Sequence, residues 1–168
     1  EAGYADILKQ VRDNEFELRE VYFEILDQLR RPPTICNTDG DLLVFHAMKF
    51  SIESPQAAFD ALKPLALGED DESLLSEAEF DLDGKLKKAE IPWIKAGNEK
   101  IKEWETTLLG RIKIDGTVLL AEVNSKKRAK ALRAEIEKRM GAQARFKRTV
   151  LQSPESMMRD TKGSASQE

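Results

Sequence analysis

One cysteine and one histidine stand among 168 residues. Cys36 therefore has no partner in the chain for a disulfide, and no multi-thiolate zinc site can be assembled. A lone thiol points to a reducing compartment, so a cytoplasmic setting is the expectation. No run approaches the roughly 18 apolar residues that span a bilayer, and no signal-peptide pattern occurs. No membrane partner is expected. The chain begins at Glu1 rather than Met, so a processed form or a piece of a longer protein is expected. Walker, dinucleotide and Gly-x-Ser-x-Gly motifs are also missing. His46, the only imidazole, shares strand parity with Val44, Met48, Phe50 and Ile52, which favours a hydrogen-bonded core histidine over a general base. Cys36 lies ten residues away with no motif around it. These absences argue for a non-enzymatic binding domain without a cofactor.

What is present is ordinary in amount and uneven in placement. Hydrophobic residues make up 40% and charged residues 35%, as in a soluble globular domain. Residues 1–31 hold five basic and eight acidic groups, and 69–83 hold eight acidic groups with no basic one. Residues 111–148 hold twelve basic and four acidic groups, a local charge of +8. Such asymmetry directs attention to an anionic partner. The plainer reading is a solvated surface whose opposite ends attract each other.

The best-specified stretch is 106–151. Asp115-Gly116 between apolar runs favours a tight hairpin, since Gly takes positive φ without a Cβ clash. Val118, Leu120 and Val123 continue a strand, and Ser125 can cap a helix by accepting from an orphan backbone N–H. Ala129, Leu132, Ile136 and Met140 form one apolar stripe, and Gly141 stands where a C-terminal cap belongs. A closing strand follows.

Elsewhere, Ile7, Leu8 and Val11 share a helical face, and Asn14 with Glu17 makes a capping-box pattern. Leu18, Val21, Tyr22, Ile25, Leu26 and Leu29 carry the stripe on to Arg31, before Pro32-Pro33. A helix pair or one kinked helix is expected, docked on the domain or pairing with a second chain through 18–29. Asp39-Gly40, a strand over 42–52 and Ser54-Pro55 opening a helix through Leu65 echo the later unit. A diverged βα repeat over 39–66 and 115–141 explains this as well as convergent capping chemistry does. An acidic loop covers 69–72, with one helical turn or more loop over 73–79. A hairpin about Asp83-Gly84 is expected to set Leu82 opposite Leu86. Pro92 belongs at an edge or strand end, and Asn98 caps a short helix holding Ile101 and Trp104. The polar tail 152–168 is expected to be disordered.

Two sharp readings attach to 79–90. Glu79, Asp81, Asp83, Gly84, Leu86 and Glu90 follow the spacing of an EF-hand calcium loop. Glu stands at the first position where Asp is usual, Pro92 interrupts the exiting helix, and no second loop pairs with this one. The run from Phe80 to Leu86 also resembles the first motif of the haloacid-dehalogenase phosphatases, with Lys85 where Thr is common. The resemblance covers seven residues, and the preceding Ser76-Glu77-Ala78-Glu79 is not the buried strand that family needs. A hairpin accounts better for the segment than either.

The fold expected is α+β: a mostly antiparallel sheet of five or six strands covered by two main helices, near 55–65 and 126–140. An N-terminal helical arm occupies 1–33 and the domain 34–151. The candidate site is a nucleic-acid phosphate contact made by the helix 126–139 and strand 145–151. Its residues are Lys126, Lys127, Arg128, Lys130, Arg133, Arg145, Lys147 and Arg148, contiguous if the last strand lies beside the helix. Stacking on Phe146, Trp93 or Trp104 would favour RNA or single strands, although tryptophans are more often core anchors. The alternative is a protein-interaction or assembly module using the N-terminal stripe or the acidic 69–83 segment.

Overall fold

A computed structural model describes residues 3–30 and 34–154. The chain divides into two compact units, 1–34 and 35–168. The first holds one helix, α1 (Tyr4–Arg30), of 27 residues. The expected break at Asn14 is absent. No Gly or Pro interrupts 4–30, and the apolar residues keep helical phase across Asn14, so its capping pattern lies inside a continuous helix. No residue of α1 is buried.

In the second unit the strands are β1 (Phe45–Ile52), β2 (Glu79–Phe80), β3 (Leu86–Ala96), β4 (Thr106–Asp115), β5 (Val118–Val123) and β6 (Ala144–Gln152). They form one six-stranded sheet in the order β2-β3-β4-β5-β1-β6. Every pairing is antiparallel. Helices α2 (Pro55–Leu62) and α4 (Lys126–Met140) cover one face, α2 over β3 and β4, α4 over β1, β5 and β6. The short α3 (Asp71–Leu75) packs near β3. The α+β architecture with a long N-terminal helix is thus the one the sequence indicates.

Local chemistry sets the boundaries. Ser54 accepts from the Ala57 N–H at 3.2 Å and Pro55 opens α2. Ser125 accepts from the Arg128 N–H at 3.1 Å, and Gly141, at φ +53°, closes α4. Asp70 caps α3 by accepting from Ser73 N–H, which makes 71–75 helical instead of loop. β1 and β5, the strands of the two proposed βα units, are antiparallel neighbours, and each leads into a Ser-capped helix on the same face.

The core lies between sheet and helices. Met48, Phe50, Ile91, Ile112, Ile114 and Leu119 face Phe59, Leu62, Leu132 and Ile136, nearly all of them fully buried. Each such side chain contributes about 1.5–3 kcal/mol relative to exposure. Trp93 joins them at 9% exposure, whereas Trp104 is 44% exposed.

Three expectations need correction. β1 begins at Phe45, because 35–44 form a loop in which Cys36 bridges Leu42. In the β2–β3 hairpin Phe80, not Leu82, stands opposite Leu86. The Asp81 carboxylate accepts from the Asp83 and Lys85 N–H groups and closes a wider turn, with Leu82 at its exposed tip. Asn98 does accept from the Lys100 and Ile101 N–H groups, yet 97–105 is a loop and no helix follows. Asn98 donates instead to Thr107 at 3.1 Å, which holds it at the β3–β4 turn.

Pro92 sits within β3, opposite Arg111 of β4. It is tolerated because β2 reaches only Leu86–Lys88 and the other covering bridge joins Ala66 to Ile94. Beside it the β3–β4 register shifts at Trp93/Ile94, leaving Leu109 as the extra residue of a bulge. Gly110 follows. A Cβ there would stand 2.5 Å from the Glu122 carbonyl oxygen and 2.6 Å from a Val123 methyl. The first neighbour is backbone and cannot swing away. Gly110→Ala is therefore expected to destabilise the body by roughly 1–3 kcal/mol, seen as a lower denaturant midpoint at unchanged slope; an unchanged midpoint would show that the strands can part there.

Candidate nucleic-acid interface

The candidate surface begins at the N-terminus of α4, and its first arginine is not on the surface. Arg128 is 5% exposed. Its Nε and Nη2 donate to one Asp39 carboxylate oxygen at 3.0 and 2.7 Å. Nη2 also reaches the Thr38 hydroxyl at 2.7 Å, and Nη1 the Leu109 carbonyl at 3.3 Å and the Asn124 side-chain oxygen at 3.1 Å. Lys95 holds the other Asp39 oxygen at 3.0 Å. The Asn37 amide oxygen accepts from the Asp39 and Asp41 N–H groups, and Ser125 donates to Asp41 at 3.0 Å. Loop 37–41 is thereby tied to β3, β4 and α4. Arg128 is a structural member of this network and, contrary to the expectation, does not face a ligand.

The remaining helix residues divide by neighbour. Lys126, Lys127, Lys130 and Lys138 are exposed and form no ion pair among the described residues. Arg133 pairs with Glu137 at 2.8 Å, and its guanidinium carbon lies 3.9 Å from the centre of the Phe146 ring. Arg139 pairs with Glu135 at 3.0 Å. The N-terminal half of α4 borders a shallow groove of about 670 Å³, with Lys126, Lys127 and Lys130 on one side and Val44, His46 and Leu151 on the other.

β6 does run under α4, but the register splits its cations from those of the helix. Phe146 stands opposite Phe50 on the core side, and the two rings meet edge to face at 5.5 Å. The pairing then shifts by one residue, so Arg148 stands opposite Lys49, and Arg145 opposite Ser51. Lys49 and Ser51 alternate with the buried Met48, Phe50 and Ile52 and face away from the helices. Arg145 and Arg148 therefore share the open face, with Lys147 as the extra residue at the bulge. The single patch expected from sequence is instead a basic edge with cations on two faces.

Aromatic platforms are few. Trp93 is core and Phe146 lies half-buried under Arg133, which leaves Trp104 as the exposed ring of the three. The preference for RNA or single strands therefore loses two of its three supports.

Other candidates are not assembled. Glu79 pairs with Lys88 at 3.0 Å, Glu90 lies in mid-strand beside Arg111 at 3.3 Å, and Asp81 is occupied by its own turn. No group of three His, Cys, Asp or Glu side chains that could hold a metal occurs among the described residues. β3 extends through the segment an EF-hand would fold back, so these carboxylates do not form that loop. His46 is 8% exposed and its Nδ1 lies 2.8 Å from the Val44 carbonyl, which can only accept, so Nδ1 carries the proton.

Burial alone would raise the Asp39 carboxyl, but hydrogen bonds and charge from Arg128 and Lys95 outweigh it and hold the group below the ordinary aspartate value. The resulting stabilisation is complete above the unfolded value of about 4 and is lost as pH falls through the lower folded value. Asp39→Ala, which strands a buried guanidinium, is expected to cost about 3–5 kcal/mol at neutral pH. In denaturant titrations across the acid range, the gap between wild type and variant should narrow below about pH 4. A gap independent of pH would show that the charge is not what matters.

Set beside protein-family models, curated proteins and solved structures, the chain finds no match.

Proposed function

We propose that the 35–168 unit binds the phosphate backbone of a nucleic acid with the outward side of α4 and the β6 edge. The observation that carries this reading is an accumulation of uncommitted cations along one edge of the sheet, on both of its faces. Lys126, Lys127, Lys130 and Lys138 on the helix, and Arg145, Lys147 and Arg148 on the strand, are exposed, with no ion pair among the described residues. They line one edge of the sheet, while the acidic 69–83 segment lies at the other, around α3 and β2. Such polarity orients an approaching polyanion toward β6. Contact through lysine and arginine charge, with few rings for stacking, implies recognition of backbone more than of bases. RNA, single-stranded and duplex ligands then differ chiefly in phosphate spacing. The lone exposed thiol at Cys36 supports a cytoplasmic setting.

Fluorescence anisotropy with labelled RNA and DNA, single- and double-stranded, tests this. About four phosphate contacts predict an affinity that falls roughly a hundredfold between ~50 and ~200 mM salt. Lys127→Glu, Lys130→Glu and Arg148→Glu together should abolish most binding and flatten the salt slope by about three ion equivalents. These variants spare Arg128, so the fold is kept. Absence of binding at the lower salt, or a triple variant that binds like wild type, would refute the proposal.

A further inference from the structure

We propose that α1 pairs with the α1 of a second copy of this chain, parallel and in register, as a two-stranded coiled coil. This goes beyond the phosphate contact and does not rest on it. The apolar side chains of α1 are exposed: Tyr4 is 78% exposed, Leu18 70% and Leu29 76%. Isolated helices draw little stability from propensity alone, so a continuous helix of this length needs a face to pack against. Its pattern repeats every seven residues. Tyr4, Val11, Leu18 and Ile25 occupy one core position, a, and Ile7, Asn14, Val21 and Gln28 the other, d. With the flanking Leu8, Tyr22 and Leu29, these residues make a continuous exposed apolar face along the helix, the kind of face that coiled-coil pairing buries.

The two polar residues at d identify the occupant. In a parallel, in-register pair Asn14 of one copy meets Asn14 of the other, and Gln28 meets Gln28, so each amide can both donate and accept. An antiparallel pair sets d against a, leaving Asn14 against Leu18 and Gln28 against Tyr4. The flanks agree. Parallel packing places Glu17 and Glu24 beside Tyr22 and Leu29 of the other copy, whereas antiparallel packing brings Glu17 against Glu17. A second copy in the same direction lets both seam amides pair with their own kind.

Sedimentation or light scattering of the full chain tests the pairing. The expected mass at about 100 µM is twice 19.0 kDa, falling toward monomer on dilution. Leu18→Glu with Ile25→Glu should give monomer at the same concentration while the melting of the 35–168 unit stays unchanged, which separates lost pairing from lost folding. Gln28→Cys in a Cys36→Ser background should form a disulfide-linked dimer on mild oxidation. A monomeric wild type, or a dimer that survives the double Glu variant, overturns the proposal. A dimer in which Gln28→Cys does not cross-link overturns the parallel, in-register arrangement.

Discussion

The guanidinium of Arg128 gathers loop 37–41, the β4 bulge and the start of α4 about one planar group. A buried ion pair is a poor source of net stability, because desolvating both charges consumes most of their attraction. What Arg128 supplies is geometry. One planar group satisfies the Asp39 carboxylate, the Thr38 hydroxyl, the Asn124 amide and the Leu109 carbonyl at the β4 bulge. An apolar residue of similar size would take this donor from all four, and each buried acceptor left without another costs about 1–3 kcal/mol. The bulge beside Gly110, the loop 37–41 and the start of α4 are therefore one cooperative corner.

Around that corner the sheet separates stability from surface chemistry. The helix-covered face carries nearly all of the buried apolar area. The open face carries cross-strand ion pairs such as Lys113–Glu122 at 2.7 Å and Glu90–Arg111 at 3.3 Å. Exposed pairs of this kind are worth about 0–1 kcal/mol each. Most surface charge can therefore vary with little effect on the fold, and the accumulation of cations at one edge and carboxylates at the other is not something packing demands.

Local signals made much of this legible in the sequence. Asp115-Gly116, Ser125 and Gly141 each act within a few residues, and the segment they punctuate folds as they indicate. What escaped was set by distant partners. Arg128 stands four residues before Leu132 and eight before Ile136, which already places a charge on the buried stripe, but nothing local names Asp39 as its partner. One extra residue in β6 turns Arg148 to the face opposite the one simple alternation from Phe146 would give. Asn14 reads as a cap when only the residues after it are considered, and as an interruption of a longer stripe when those before it are included.

β6 is also an outermost strand, nine residues long, with one rank of backbone hydrogen-bonding groups turned away from the sheet. Val150 and Leu151 are exposed on it, 45% and 60%. Such an edge invites another strand to add on, the first step toward aggregation. The bulge at Lys147 and the charges of Arg145, Lys147 and Arg148 oppose that stacking through misfit and mutual repulsion. The same basic side chains therefore also keep this strand soluble as an edge. Neutral replacements at Arg145, Lys147 and Arg148 would leave the strand open to pairing with another exposed edge, whatever the strand binds.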